Sequence, residues 1–199
     1  VCGGCHTDAH HPTYDEWKES RHAEVTPDVA GGSSGIGSTN LAAGFGRQMS
    51  CGPCHSGPTR LAMLANYKDR MAGRTNYLTL PSAHDAAEFG VTCAVCHDPH
   101  LEENIHQLRN PLFSTNFFTF LSGNVTFANQ YNPDIQICAQ CHNTRGADWT
   151  YSGSAPHHSP QYNILIGAVQ TNYLNGVNLT MIGTHGRNTN GCVQCHMHV

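Results

Sequence analysis

The stretch Gly90-Val91-Thr92-Cys93-Ala94-Val95-Cys96-His97-Asp98-Pro99-His100 decides the reading, and its centre is Cys93-x-x-Cys96-His97. The same five-residue pattern recurs at Cys2-x-x-Cys5-His6, Cys51-x-x-Cys54-His55, Cys138-x-x-Cys141-His142 and Cys192-x-x-Cys195-His196, and the copies use all ten cysteines. Two thiols three positions apart can add to the two vinyl groups on one edge of a porphyrin. The adjacent His can then reach the iron, so the pattern is the attachment signature of c-type haem. Rival readings fail on the count. Four-cysteine zinc sites pair their Cys-x-x-Cys knuckles, and five is an odd number. A disulfide framework gives no reason for a His after every second cysteine, and a thioredoxin-like motif occurs once, beside a βαβ pattern. The expected cofactors are therefore five haem c groups, bound through Cys2, Cys5, Cys51, Cys54, Cys93, Cys96, Cys138, Cys141, Cys192 and Cys195. His6, His55, His97, His142 and His196 are the expected first iron ligands.

Working outward, the first cysteines stand at 2, 51, 93, 138 and 192, an irregular spacing with no further self-similarity. This is not a solenoid repeat. With 199 residues there is about one haem per 40 residues, too little for each segment to build its own core. The expected fold is therefore mostly irregular coil with short α-helices and little β. A single pentahaem domain over 1–199 would wrap around a row of closely packed haems. Thr13 and Glu16 form a capping box that predicts a short helix to about Ala23, with His22 in its last turn. Thr26 to Gly46 reads as loop, most flexible over Gly31–Gly35. Arg60 to Met71 reads as a helix ended by Gly73. Phe118, Phe120, Val125 and Phe127 flank Ser122-Gly123-Asn124 and predict a hairpin within 116–132. Ser159-Pro160 opens another helix, which carries Ile164, Leu165 and Val169 inward.

Composition narrows the function. Charged residues make up only 12%, with a net charge of −4, which argues against a nucleic-acid partner and permits close self-association. The longest apolar run, Ile164 to Val169, is far short of the ~20 residues of a membrane span. No secretory signal is seen before the first motif. Covalent haem attachment takes place outside the cytoplasm, so export by a signal already removed is expected.

Ten further His residues remain for the second axial position: His10, His11, His22, His84, His100, His106, His157, His158, His185 and His198. The supply suffices for bis-His ligation throughout, while the five Met residues read as packing. Two His on opposite faces of one haem need Cα atoms on the order of 13 Å apart, taking ~2 Å per metal–nitrogen bond. Three residues span at most about 11 Å. His100 therefore cannot close over the haem of His97, and if it is a ligand it serves a neighbouring haem. His198, two residues after His196, meets the same limit. His10 and His11 are barely long enough to return over the haem of His6. They would more easily serve another haem, in a second subunit for instance. His84 and His185 approach the third and fifth motifs. His22 stands beside Trp17, which could stack on a porphyrin, and one of His157 and His158 is expected on iron.

Three segments carry a resemblance: Trp17-Lys18-Glu19-Ser20-Arg21-His22-Ala23, Gly90 to His100, and Pro156-His157-His158-Ser159-Pro160-Gln161. They resemble segments of multihaem cytochromes c of the bis-His type, in which the corresponding His residues supply distal ligands. The resemblance implies electron transfer without catalysis. Cys5-His6-Thr7 followed by His10-His11 is similar to the start of extracellular cytochrome filament subunits, in which a His just after the first motif ligates a haem of the adjacent protomer. The set expected on iron is thus His11, His22, His84, His100, His157 and His185, with His10 and His158 as alternatives to their neighbours. The expected partners are further copies of the chain, other redox proteins and external electron acceptors. The expected location is extracellular or at the cell surface, with a discrete periplasmic shuttle as the alternative. A multihaem nitrite- or hydroxylamine-type oxidoreductase is the competing class. Six-coordinate iron offers substrate no vacant position, and no motif here replaces its His with Lys.

Overall fold

The computed structural model describes His6 and residues 13–74, 78–100, 102, 105–109, 137–142, 161–165 and 192–197. The chain divides into two compact units, 1–109 and 110–199. Among the described residues the structure is helix and coil with no sheet, and the pairing of His97 with Leu108 is the one antiparallel bridge. The expected hairpin at 116–132 lies outside the described residues. No helix among them is long and apolar enough to cross a membrane.

In the first unit, α1 (Thr13–Glu19) opens with Asp15 and Glu16 against the positive end of its dipole. It stops short of the expected Ala23. The Ser20 hydroxyl donates to the Trp17 carbonyl at 2.6 Å and the Ser20 amide to the same oxygen at 2.9 Å, which closes the last turn. His22 therefore lies beyond the helix rather than in its last turn.

The reading of Thr26 to Gly46 as loop is corrected. It contains α2 (Pro27–Ala30), with Pro in the first turn, and the start of α3 (Leu41–Ser50), whose cap Asn40 accepts from the Ala43 amide at 3.3 Å. Between them the glycine-rich turn folds back so that Ile36 bonds to Val29 and becomes fully buried with Val25, Val29 and Ala86. Of the glycines that suggested flexibility, Gly35 permits close approach: a Cβ there would come 2.6 Å from the Ala30 carbonyl oxygen. Cys51 packs against this small core, which anchors the second motif.

Next come α4 (Gly52–His55) and α5 (Gly57–Met71), which starts three residues before the expected Arg60 and is followed by Gly73 at φ 72°. The short α6 (Ala83–Glu88) is capped by Ser82, and α7 (Cys93–Cys96) is the third motif itself. In the second unit the described elements are a turn at 137–139, α8 (Gln161–Leu165) and α9 (Val193–His196). The expectation that Ile164 faces inward is corrected, since it is 62% exposed while Tyr162 is 3% exposed. In so short a helix the large aromatic two positions earlier takes the inward face. Val169 lies outside the described residues.

Candidate haem-attachment sites

Each motif with a described backbone makes one helical turn. The His amide donates to the carbonyl of the first cysteine at 3.0 Å in His55, 2.9 Å in His97, 2.9 Å in His142 and 3.1 Å in His196. Positions i and i+3 share a face of such a turn, so both sulfurs stand on one side, with the His last in the turn at His55 and His196 and just past it at His97. The eight cysteines described are thiols rather than disulfides. Of the first motif only His6 is described, and it is exposed; Cys2 and Cys5 lie outside the described residues.

The second and third motifs are tied directly. Gly52 is buried under Thr59, whose methyl would lie 2.7 Å from an added Cβ. The Gly57 amide donates to the carbonyls of Phe89 at 3.1 Å and Gly90 at 2.9 Å. Gly90 is pressed against the backbone of His22 and Glu24, where no side chain fits. Trp17, expected as a porphyrin-stacking ring, donates its indole N–H to the Val91 carbonyl at 2.9 Å. It thereby ties α1 to the approach of the third motif.

The exit of that motif is built more tightly still. The Nδ1 of His97 lies 2.8 Å from the His106 carbonyl. Because a carbonyl can only accept, Nδ1 carries the proton and Nε2 keeps its lone pair for a metal. Hydrogen bonds from the Asp98 amide to the Gln107 carbonyl at 2.7 Å and from the Arg109 amide to the Cys96 carbonyl at 2.8 Å flank this contact. The Arg109 side chain donates to the Ala94 carbonyl at 2.6 Å and pairs with Asp98 at 2.7 Å, while Lys68 adds a longer contact to Asp98 at 3.4 Å. Burial works against the Asp98 charge, but Arg109, the His100 amide and Lys68 hold its carboxyl below the ordinary value. Burial also pushes the Cys96 thiol up to about 11, against the opposing pull of Arg60, which is only 4% exposed, and of Arg109.

In the second unit, the fourth motif is buried at its own Ala139 and at Ile137 just before it. The His142 carbonyl accepts from the Tyr162 amide at 3.0 Å, and its Nδ1 makes a long 3.4 Å contact with Gln161 Oε1. Tyr162 also lies near Cys192, and burial pushes its phenol pKa up. A hydrogen bond with the Cys138 thiol lowers Cys192 to about 7, so the first cysteines of the fourth and fifth motifs are neighbours.

The thiol pairs, the trailing His on each turn, and a His97 imidazole already oriented through Nδ1 all fit covalent haem. Of the expected second ligands, His22 and His100 are exposed. His84 is 79% exposed on α6, with Nδ1 3.3 Å from Glu88 Oε2 and 3.5 Å from Asp85 Oδ1. His11, His157 and His185 lie outside the described residues.

Sequence reasoning missed the partners behind the imidazoles. Gln161 ends the segment Pro156–Gln161, but nothing local marks Arg109, and the sequence gives His106 no role of its own.

No curated protein and no solved structure gives a match to the chain. Residues 137–199, about a third of the chain and including the fourth and fifth motifs, match the family described as cytochrome c554 and c-prime, which supports a c-type cytochrome with covalent haem and electron transfer as its general role.

Proposed function

We propose that the chain carries electrons through five covalent haems, each held between a motif His and a second His, and that copies of it polymerise into an extracellular filament. The observation that carries the haem reading is the shared turn: four motifs far apart in sequence close the same His-to-cysteine hydrogen bond at 2.9–3.1 Å. Bound haem supplies a one-electron iron couple; the chain supplies position, exclusion of water and axial tuning. One row of haems along 1–199 is the proposed organisation, with second ligands drawn from His11, His22, His84, His100, His157 and His185. The carboxylates beside His84 Nδ1 suit a ligand role, because they leave Nε2 for metal.

Polymerisation is supported by His10 and His11, placed just after the first motif, and by the sparse charge. The test has two parts. A pyridine haemochrome assay should give five haems per chain, with low-spin ferric signals only; a substantial high-spin fraction would count against a pure carrier. Electron microscopy should show filaments, and His11→Ala or His10→Ala should abolish them with haem content intact. Dispersed particles at high concentration would favour the discrete periplasmic shuttle.

A further inference from the structure

We propose that Ile105–Arg109 is a strap that fixes the imidazole of His97, and that His106 serves this haem through its backbone carbonyl rather than as an iron ligand. The inference rests on the haem reading above and deepens it at one site.

The two nitrogens of an imidazole point in opposite directions. A carbonyl that accepts from Nδ1 of His97 therefore lies on the side away from a metal at Nε2. The His106 backbone occupies that side, 2.8 Å from Nδ1. Its side chain is too short to pass round a macrocycle and reach the opposite face of the same iron.

The aim of this carbonyl is imposed by the fold. His106 sits at φ 54°, ψ 22° and Gln107 also at φ 54°, two consecutive non-glycine residues in the left-handed region. Such backbone persists only where its surroundings over-determine it. Here the determinants are the amides of Asp98 and Arg109 bonded across the bridge, the Arg109 guanidinium on the Ala94 carbonyl, and the Asp98–Arg109 pair at 2.7 Å, whose side chains are 12% and 15% exposed. The strap thus begins at the carbonyl that His97 needs and ends at the ion pair that locks it. A hydrogen bond from Nδ1–H raises the basicity of Nε2, which favours ferric iron and lowers the reduction potential. Asp98, His106 and Arg109 are positioning residues of the third haem.

The experiment is spectroelectrochemical titration of the haem-loaded protein, with EPR and haem counting, on three variants. His106→Gly keeps the carbonyl, accommodates φ 54° and deletes the imidazole; five low-spin haems with unmoved potentials are expected. His106→Pro cannot adopt φ 54°, and one of the five steps should move upward. Arg109→Gln should move the same step in the same direction by less, and it carries the test if His106→Pro does not accumulate. A new high-spin signal in His106→Gly would make His106 a ligand and overturn the inference. So would unmoved steps in both other variants, or in Arg109→Gln alone if that is the one recovered. Peptide mapping that finds no haem on Cys93 and Cys96 in the unaltered protein would instead overturn the reading beneath it.

Discussion

The third and fourth motifs hold their His by different means. His97 is gripped by a backbone carbonyl at 2.8 Å, and the chain that delivers it is sewn to the motif by two further backbone bonds and a nearly buried ion pair. His142 has the Gln161 side chain at 3.4 Å and accepts at its carbonyl from the Tyr162 amide at 3.0 Å. The first hold uses backbone and charge, and the second includes a buried aromatic. The same Cys-x-x-Cys-His pattern can therefore hold its His in different surroundings, and these partners lie 9 to 20 positions downstream of that His.

If Tyr162 is the fastener of the second region, removing it should have the larger effect on stability. Tyr162→Ala deletes a nearly fully buried aromatic that reaches from His142 to Cys192, and should cost about 3–5 kcal/mol, as other aromatic-to-Ala changes do in cores. Chemical unfolding followed by far-UV circular dichroism would measure it. Tyr162→Phe should cost only about 1 kcal/mol, because it gives up a hydroxyl and keeps the ring. Equal losses in the two variants would mean that the hydroxyl rather than the ring is the fastener.

The first region should break at its charges. Asp98→Asn keeps the shape and leaves the Arg109 guanidinium without its carboxylate, at a cost of about 3 kcal/mol for breaking a largely buried pair. Hydrogen exchange should locate the loss at the amides of Asp98 and Arg109, with those of His142 and Tyr162 unchanged. Lys68, 40% exposed and 3.4 Å from the same carboxylate, should contribute little to that loss. Uniform loss of protection across both regions would show that the strap is not a separate local unit.

What was legible in the sequence follows the range of each interaction. The helix expected over Arg60 to Met71 and ended by Gly73, and the scarcity of strand among the described residues, depend on neighbours within a few residues, so spacing and punctuation revealed them. Segment 26–46 reads as loop because the Gly31–Gly35 run looks like a breaker, although Gly35 admits close contact with the backbone of Ala30 and Gly31 beside a buried Ile36. Ile164 was misassigned because a period-based reading cannot tell which of several apolar side chains on a short helix meets the rest of the protein. The strap was not legible because no propensity favours His106 and Gln107 at positive φ; the bonds that Asp98 and Arg109 make across the bridge hold that conformation.

The smallest predicted effect tests the weaker hold alone. Gln161→Ala removes the side chain opposite Nδ1 of His142 and leaves the Tyr162 amide and ring in place, so stability should change by less than about 1 kcal/mol, as for a long, partly solvated hydrogen bond. Its readout is electrochemical. With the carboxamide gone, water can accept from Nδ1, and one haem step should rise by less than the step moved by His106→Pro. Gln161→Glu should lower that step instead, since a carboxylate draws the Nδ1 proton more strongly and makes Nε2 a better donor to ferric iron. Opposite shifts from Ala and Glu at one position would show that the gap between the two motifs lies in the strength of the group behind the imidazole. Shifts in the same direction would place it in the packing around α8.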